Sequence, residues 1–214
     1  MKEFAIRPNP DDPRLTRTVP GVDESGQRIE TQVVVERPLT LFLNGQEIVT
    51  MMTVGDYPDY LAVGYLVNQN MLRPDDVVTG IDYDDELETV VVRTKRKTNY
   101  EKKLRKKTLT SGCAQGTVFG DLMEEIDSIR LRDDVFLADA QLFDLIEKVR
   151  RHETIYKQSG AVHGCALARA SGPASTEIMM FIEDVGRHNA VDAIAGRMWL
   201  EAIEGSDKIF YTTG

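Results

Sequence analysis

An α/β fold with a β-rich N-terminal subdomain is what this sequence predicts, on three observations. IETQVVVERPLTLFLNGQEIVTMMT, residues 29–53, alternates apolar and polar side chains around Asn44-Gly45, a strong hairpin signal. From residue 139 onward, apolar periodicity runs helix, strand, strand, helix, strand, which describes an α/β layer with its own core. Between these halves the composition turns abruptly basic in KRKTNYEKKLRKKT, a natural linker.

Each element has its own local reason. Pro8, Pro10, Pro13 and Pro20 among charges read as an extended arm over residues 1–28. After the hairpin, Leu61, Tyr65, Leu66 and Leu72 recur at helical intervals behind Asp56, a candidate N-cap, with Pro58 tolerated in the first turn. VVTGIDYD and ETVVVRT read as strands, which completes a β-rich subdomain over 29–138 that includes a mobile loop around Cys113. In DAQLFDLIEKVRRH, Leu142, Leu145, Ile146 and Val149 share one side, and Arg150, Arg151 and His152 suit a helix C-terminus. AVHGCALARA and TEIMMFIEDV are strands about a Ser171-Gly172-Pro173 turn, GRHNAVDAIAGRMWLEAI is an amphipathic helix, and DKIFYTTG is a last strand. An α/β sheet ordinarily continues past such a strand, so the 139–214 unit reads as truncated at its C-terminus.

Composition narrows the function classes. The chain of 214 residues is 42% hydrophobic and 29% charged, as a soluble globular protein is. A net charge of -9 argues against nucleic acid or an anionic membrane as partner. Two distant cysteines, Cys113 and Cys165, point to a reducing compartment, hence the cytoplasm, and neither an apolar leader nor a membrane-length apolar stretch is visible. The basic run is either a solvated loop or an electrostatic lure for a phosphate-bearing ligand.

Three stretches could carry chemistry. LTSGCAQGTVFGD sets Cys113 among glycines, with Lys106 and Lys107 near enough in sequence to favour a thiolate, so it reads as a reactive loop or a bare one. In SGAVHGCALA, Ala161, His163 and Cys165 share one strand face, where a histidine is commonly a bonded core residue and Cys165 a small apolar filler. EDVGRHNAVD is the densest polar constellation: Asp184, Gly186, Arg187, His188, Asn189 and Asp192 fall where a strand passes into a helix, the place where open α/β sheets bind ligands. A capping network accounts for part of it, and a ligand site accounts better for the whole. The zinc-deaminase signature is missing, since HGC lacks the glutamate and no C-x-x-C follows; a phosphate loop is missing too. Papain-like pairing of Cys113 with His163 or His188 stays open.

These stretches, with ERPLTLFLNGQEIVTMMTVGDYPDYLAVGYLVNQNML, resemble in order the formate dehydrogenase accessory sulfurtransferases, the FdhD family, from about residue 30 to the end. DVGRHNAVD is close to diagnostic, and FYTTG looks like the opening of a further family segment. The resemblance implies a cytidine-deaminase-like three-layer fold without zinc, in a protein that often pairs as a homodimer. It implies a sulfur carrier that takes a persulfide from a cysteine desulfurase and passes the sulfur to the molybdenum bis-molybdopterin guanine dinucleotide cofactor of formate dehydrogenase. Cys113 inherits the persulfide role; His163, Asp184, Gly186, Arg187, His188, Asn189 and Asp192 would help bind the cofactor as substrate. Two departures stand out: Gly116 replaces the second cysteine of the family's C-x-x-C loop, and Ala193 replaces its lysine after VD. Rival readings are a chaperone that delivers the cofactor without moving sulfur and a zinc-free nucleotide-binding relative of the deaminases.

Overall fold

The computed structural model describes residues 6–9, 11–96, 133–151 and 154–213, together with the backbone of 107–109 and 117–119. Strands β3 (Arg37–Leu43) and β4 (Gln46–Thr53) form the expected hairpin, and Asn44 takes the left-handed φ of 56° that its tight turn requires. β5 (Val78–Asp84) and β6 (Thr89–Thr94) pair antiparallel, and β6 lies parallel to β3, which gives the order β4-β3-β6-β5. Leu39, Leu41 and Leu43 of β3 turn inward with Val90 and Val92 of β6. Each such leucine, fully buried, contributes roughly 1.5–3 kcal/mol.

Helix α1 (Pro58–Asn68) packs across this sheet and against helix α4 (Arg187–Leu200). The two helices touch backbone to backbone: a Cβ added at Gly64 would sit 1.6 Å from the Asp192 carbonyl oxygen, and one at Gly196 1.9 Å from that of Tyr60. Beyond α4 lies an antiparallel sheet of β10 (Ser175–Asp184), β9 (His163–Gly172) and β11 (Lys208–Thr212), with β9 in the centre. Alternation along β9 sends Cys165 and Leu167 toward the helices, and Ala166 and Ala168 toward Leu145 and Val149 of α2 (Asp139–Arg151) on the outer face. The layers therefore run sheet, α1, α4, sheet, α2.

The α/β class and the main elements agree with the sequence; several details differ. Residues read as an extended arm include β1 (Thr16–Val22), which pairs antiparallel with β2 (Arg28–Val34). The connecting turn is organised by Asp23, whose carboxylate receives the N–H groups of Ser25 and Gln27, both at 2.9 Å. This hairpin is largely solvated and so lacks the apolar alternation that betrays a strand. The short helix α3 (Ile155–Ser159) was not foreseen either: Thr154 caps it, and the buried Glu183 carboxylate receives the N–H of Ile155 at 2.7 Å and of Tyr156 at 3.3 Å. The halves divided at residue 139 share one core, which joins Leu41, Leu61 and Val92 to Leu167, Met180 and Ile194. Strands β7 (Lys107–Leu109) and β8 (Thr117–Phe119) pair antiparallel, and Cys113, in the connection between them, lies outside the described residues, as does most of the basic run. No helix among the described residues is long and apolar enough to cross a membrane.

Candidate functional site

Two strand-to-helix passages meet at one end of the molecule. In the first, β10 ends at Asp184 and α4 begins after Val185-Gly186; in the second, β4 ends at Thr53 and α1 begins after Val54-Gly55-Asp56-Tyr57. Asp184 ties them together. Its carboxylate receives the Thr53 hydroxyl, the Val54 N–H at 3.2 Å, the Gly186 N–H at 2.8 Å and the Asn189 amide at 2.7 Å. Burial pushes its pKa up while these donors pull it down, so the group is held by hydrogen bonds rather than by a cation. Asn189 reaches further and donates to the Met52 carbonyl at 2.7 Å. Gly186 makes that fold-back possible, because a Cβ there would stand 2.9 Å from the Asn189 amide nitrogen.

The residues singled out in sequence thus separate into three groups. Asp184, Gly186 and Asn189 build the clamp. Arg187 and His188 are exposed on the first turn of α4, whose start carries no side-chain cap. His163 is half-buried and pairs across the sheet with Asp184, which brings it to the same strand end. Asp192 belongs elsewhere: it is buried against α1 and receives the Asn68 amide at 2.6 Å. Burial raises its pKa to about 7, opposed by that hydrogen bond. Cys165 is the filler it was read to be, fully buried, with its thiol 3.3 Å from the Thr212 hydroxyl and its pKa raised by burial.

Sequence reasoning missed Thr53 and assigned Asp56 the wrong work. Asp56 does not cap α1; the cap position is Tyr57, at a left-handed φ of 50° and without a side-chain cap bond. The Asp56 carboxyl instead turns inward, where burial, with Asp12 and Asp184 adding to it, pushes its pKa up to about 7 against the pull of Arg14 and the Tyr57 N–H. The available signal was the echo between TVGDYPD and EDVGRHN, two Val-Gly breaks that each join a strand to a helix.

An α/β protein with two strand-helix junctions tied together by one buried aspartate is the class this geometry defines. The fold is similar to that in the crystal structure of a candidate formate dehydrogenase accessory protein from Desulfotalea psychrophila, with a TM-score of 0.67 at 20% identity over 93% of this chain and 74% of that one. The model of the FdhD/NarQ family matches residues 34–214, and the chain belongs to that family. Relatives named sulfur carrier protein FdhD include those of Listeria monocytogenes serovar 1/2a, 28% identical over 191 residues (88% of this chain, 71% of the relative), and Shouchella clausii, 28% identical over 192 residues (87% and 70%).

Proposed function

We propose that the chain is a sulfur carrier required for formate dehydrogenase activity, with Cys113 as its persulfide-bearing residue. The family match across residues 34–214, which spans the Cys113 loop and both junctions, carries this reading. In the loading step the Cys113 thiolate attacks the outer sulfur of a cysteine desulfurase persulfide; a new S–S bond forms on Cys113 and the desulfurase thiolate leaves. In the delivery step that outer sulfur goes to the molybdenum of bis-molybdopterin guanine dinucleotide, bound as substrate. With Gly116 where a second loop cysteine would stand, the two electrons that convert the outer sulfur to sulfide come from a thiol outside the loop, leaving a mixed disulfide on Cys113.

At the junction site, Arg187 and His188 at the open start of α4 suit the phosphates of such a cargo, and the Asp184-Asn189 clamp fixes the turn beside them. His163 stands at the same strand end, while Asp192 supports the site only through the α1–α4 contact. The test is intact mass after incubation with a cysteine desulfurase and cysteine. Wild-type chain gains about 32 Da per sulfur, a reducible adduct that Cys113→Ser does not acquire. Retention of the adduct by Cys113→Ser overturns the reading; full formate dehydrogenase activity with that variant favours a cofactor chaperone instead.

A further inference from the structure

Two of the three buried polar atoms that lack a partner among the described residues border Gly55: Asp56 Oδ2 and Arg37 Nε. A Cβ at residue 55 would lie 3.6 Å from that nitrogen and 3.0 Å from the Arg37 Cδ, and the backbone there takes a φ of 79°, so glycine keeps the space between them open. Arg37 is otherwise engaged, donating from Nη2 to the Arg14 carbonyl at 2.9 Å and standing 4.0 Å from Asp85. Each unpaired buried group costs about 1–3 kcal/mol, a burden that a bound partner removes.

Asp56 stands one residue before the cap position of α1, and the helix starts without a side-chain cap from a left-handed Tyr57. Non-glycine residues in that region carry roughly 1–3 kcal/mol of strain and persist where their surroundings fix them. Here the fixing comes from the site itself, because Asp184 holds Thr53 and Val54. Near the turn the Tyr57 hydroxyl donates to the Arg7 carbonyl, 3.3 Å away, and Asp56 feels the charges of Asp12 and Arg14. Asp56 Oδ2 is buried here and receives no donor from the described residues.

We propose that Asp56 reads the N–H-bearing ring of the cargo: its Oδ2 accepts a ring or amino N–H once the side chains that bury it shift aside, with Arg37 Nε as the neighbouring donor to a ring acceptor. This rests on the cargo reading above and divides the ligand by chemistry. A carboxylate repels phosphate, so the phosphates lie toward Arg187 and His188 and the heterocycle toward the β4–α1 turn. The Tyr57 N–H pulls the Asp56 pKa down and so favours an oxygen on its side, leaving Oδ2, which has no partner among the described residues, for the ligand. With Asp56→Asn, the amide oxygen stays on that N–H and the amide nitrogen faces the ligand, so an acceptor becomes a donor.

Calorimetric titration with guanosine monophosphate, which offers a 2-amino donor, and xanthosine monophosphate, which offers a 2-keto acceptor, tests this. The wild-type chain binds the guanosine nucleotide more tightly. Asp56→Asn weakens that binding about tenfold or more and reverses the preference toward xanthosine, which a purely structural role cannot produce. Unchanged guanosine binding by Asp56→Asn, or loss without reversal in a variant that melts normally, overturns the assignment of Asp56 alone. A wild-type chain that binds neither nucleotide overturns the cargo reading together with it, while the mass test on Cys113 stands independently.

Discussion

The two Val-Gly passages are built from the same kinds of residue and reach opposite outcomes. In EDVGRHN the aspartate precedes the break and sits at the centre of a set of donors; in TVGDYPD it follows the break and keeps a buried oxygen with no partner among the described residues. Their places about the Val-Gly pair decide between them: Asp184 stands two residues before the glycine and Asp56 one residue after it. An aspartate at the strand end faces the N–H groups that open as the chain leaves the sheet, whereas one past the glycine is carried beyond them. The first passage spends its polarity on holding structure, and the second holds it in reserve.

The comparison presupposes that α1 and α4 keep the passages side by side, and Gly64 is where this breaks most readily. With Gly64→Ala the new Cβ would collide with the Asp192 carbonyl, so the helices have to part along their whole contact. The expected loss is more than about 3 kcal/mol in urea unfolding, or failure to obtain folded chain. A variant within about 1 kcal/mol of wild type would show that the crossing is not what registers the two passages.

Next in size is the clamp. Asp184→Ala orphans the Thr53 hydroxyl, the Val54 and Gly186 N–H groups and one hydrogen-bond partner of Asn189, and the expected cost is about 3 kcal/mol by thermal or urea unfolding. Should Asp184→Ala unfold no more easily than wild type, the aspartate would be a ligand group rather than the tie between the passages.

What could be read in the sequence follows the physics of each signal. The β3–β4 hairpin and α2 were legible because burial on one face imposes a period, whereas α1 and α4, expected to be amphipathic, are buried between two layers and, like β9 and β10, were legible as apolar runs between turn signals. The β1–β2 hairpin was not, since its turn is set by Asp23 and its faces are wet. At the site, the density of polar residues in EDVGRHNAVD located the junction but could not tell clamp from ligand surface. Asp184 and Asn189 look like Arg187 and His188 in a string of letters, and only the carbonyl of Met52 and the hydroxyl of Thr53, more than a hundred residues away, separate them. The single core across residue 139 was likewise hidden, because the Gly64–Gly196 contact leaves no apolar signature.

The smallest effect is also the most discriminating. Asp56 has a folded pKa of about 7 against an ordinary 3.8, raised chiefly by burial, with Asp12 and Asp184 adding to it and Arg14 and the Tyr57 N–H opposing. The folded state therefore binds the proton more tightly than the unfolded chain does. Its contribution to stability is fully present below the unfolded value and is lost as pH rises through about 7. Asp56→Asn keeps a neutral side chain at every pH. Relative to wild type it gains stability between pH 5 and pH 8, on the order of 2 kcal/mol after allowance for partial solvent contact. Urea unfolding of both chains at the two pH values measures the difference, and the other titrating carboxylates cancel in it. At pH 8, then, replacing the carboxylate at position 56 costs no hydrogen bond of the described residues, whereas at position 184 it disturbs four. If the two chains instead keep a constant offset from pH 5 to pH 8, Asp56 is ionised and paired in the folded protein, and the contrast between the two passages fails.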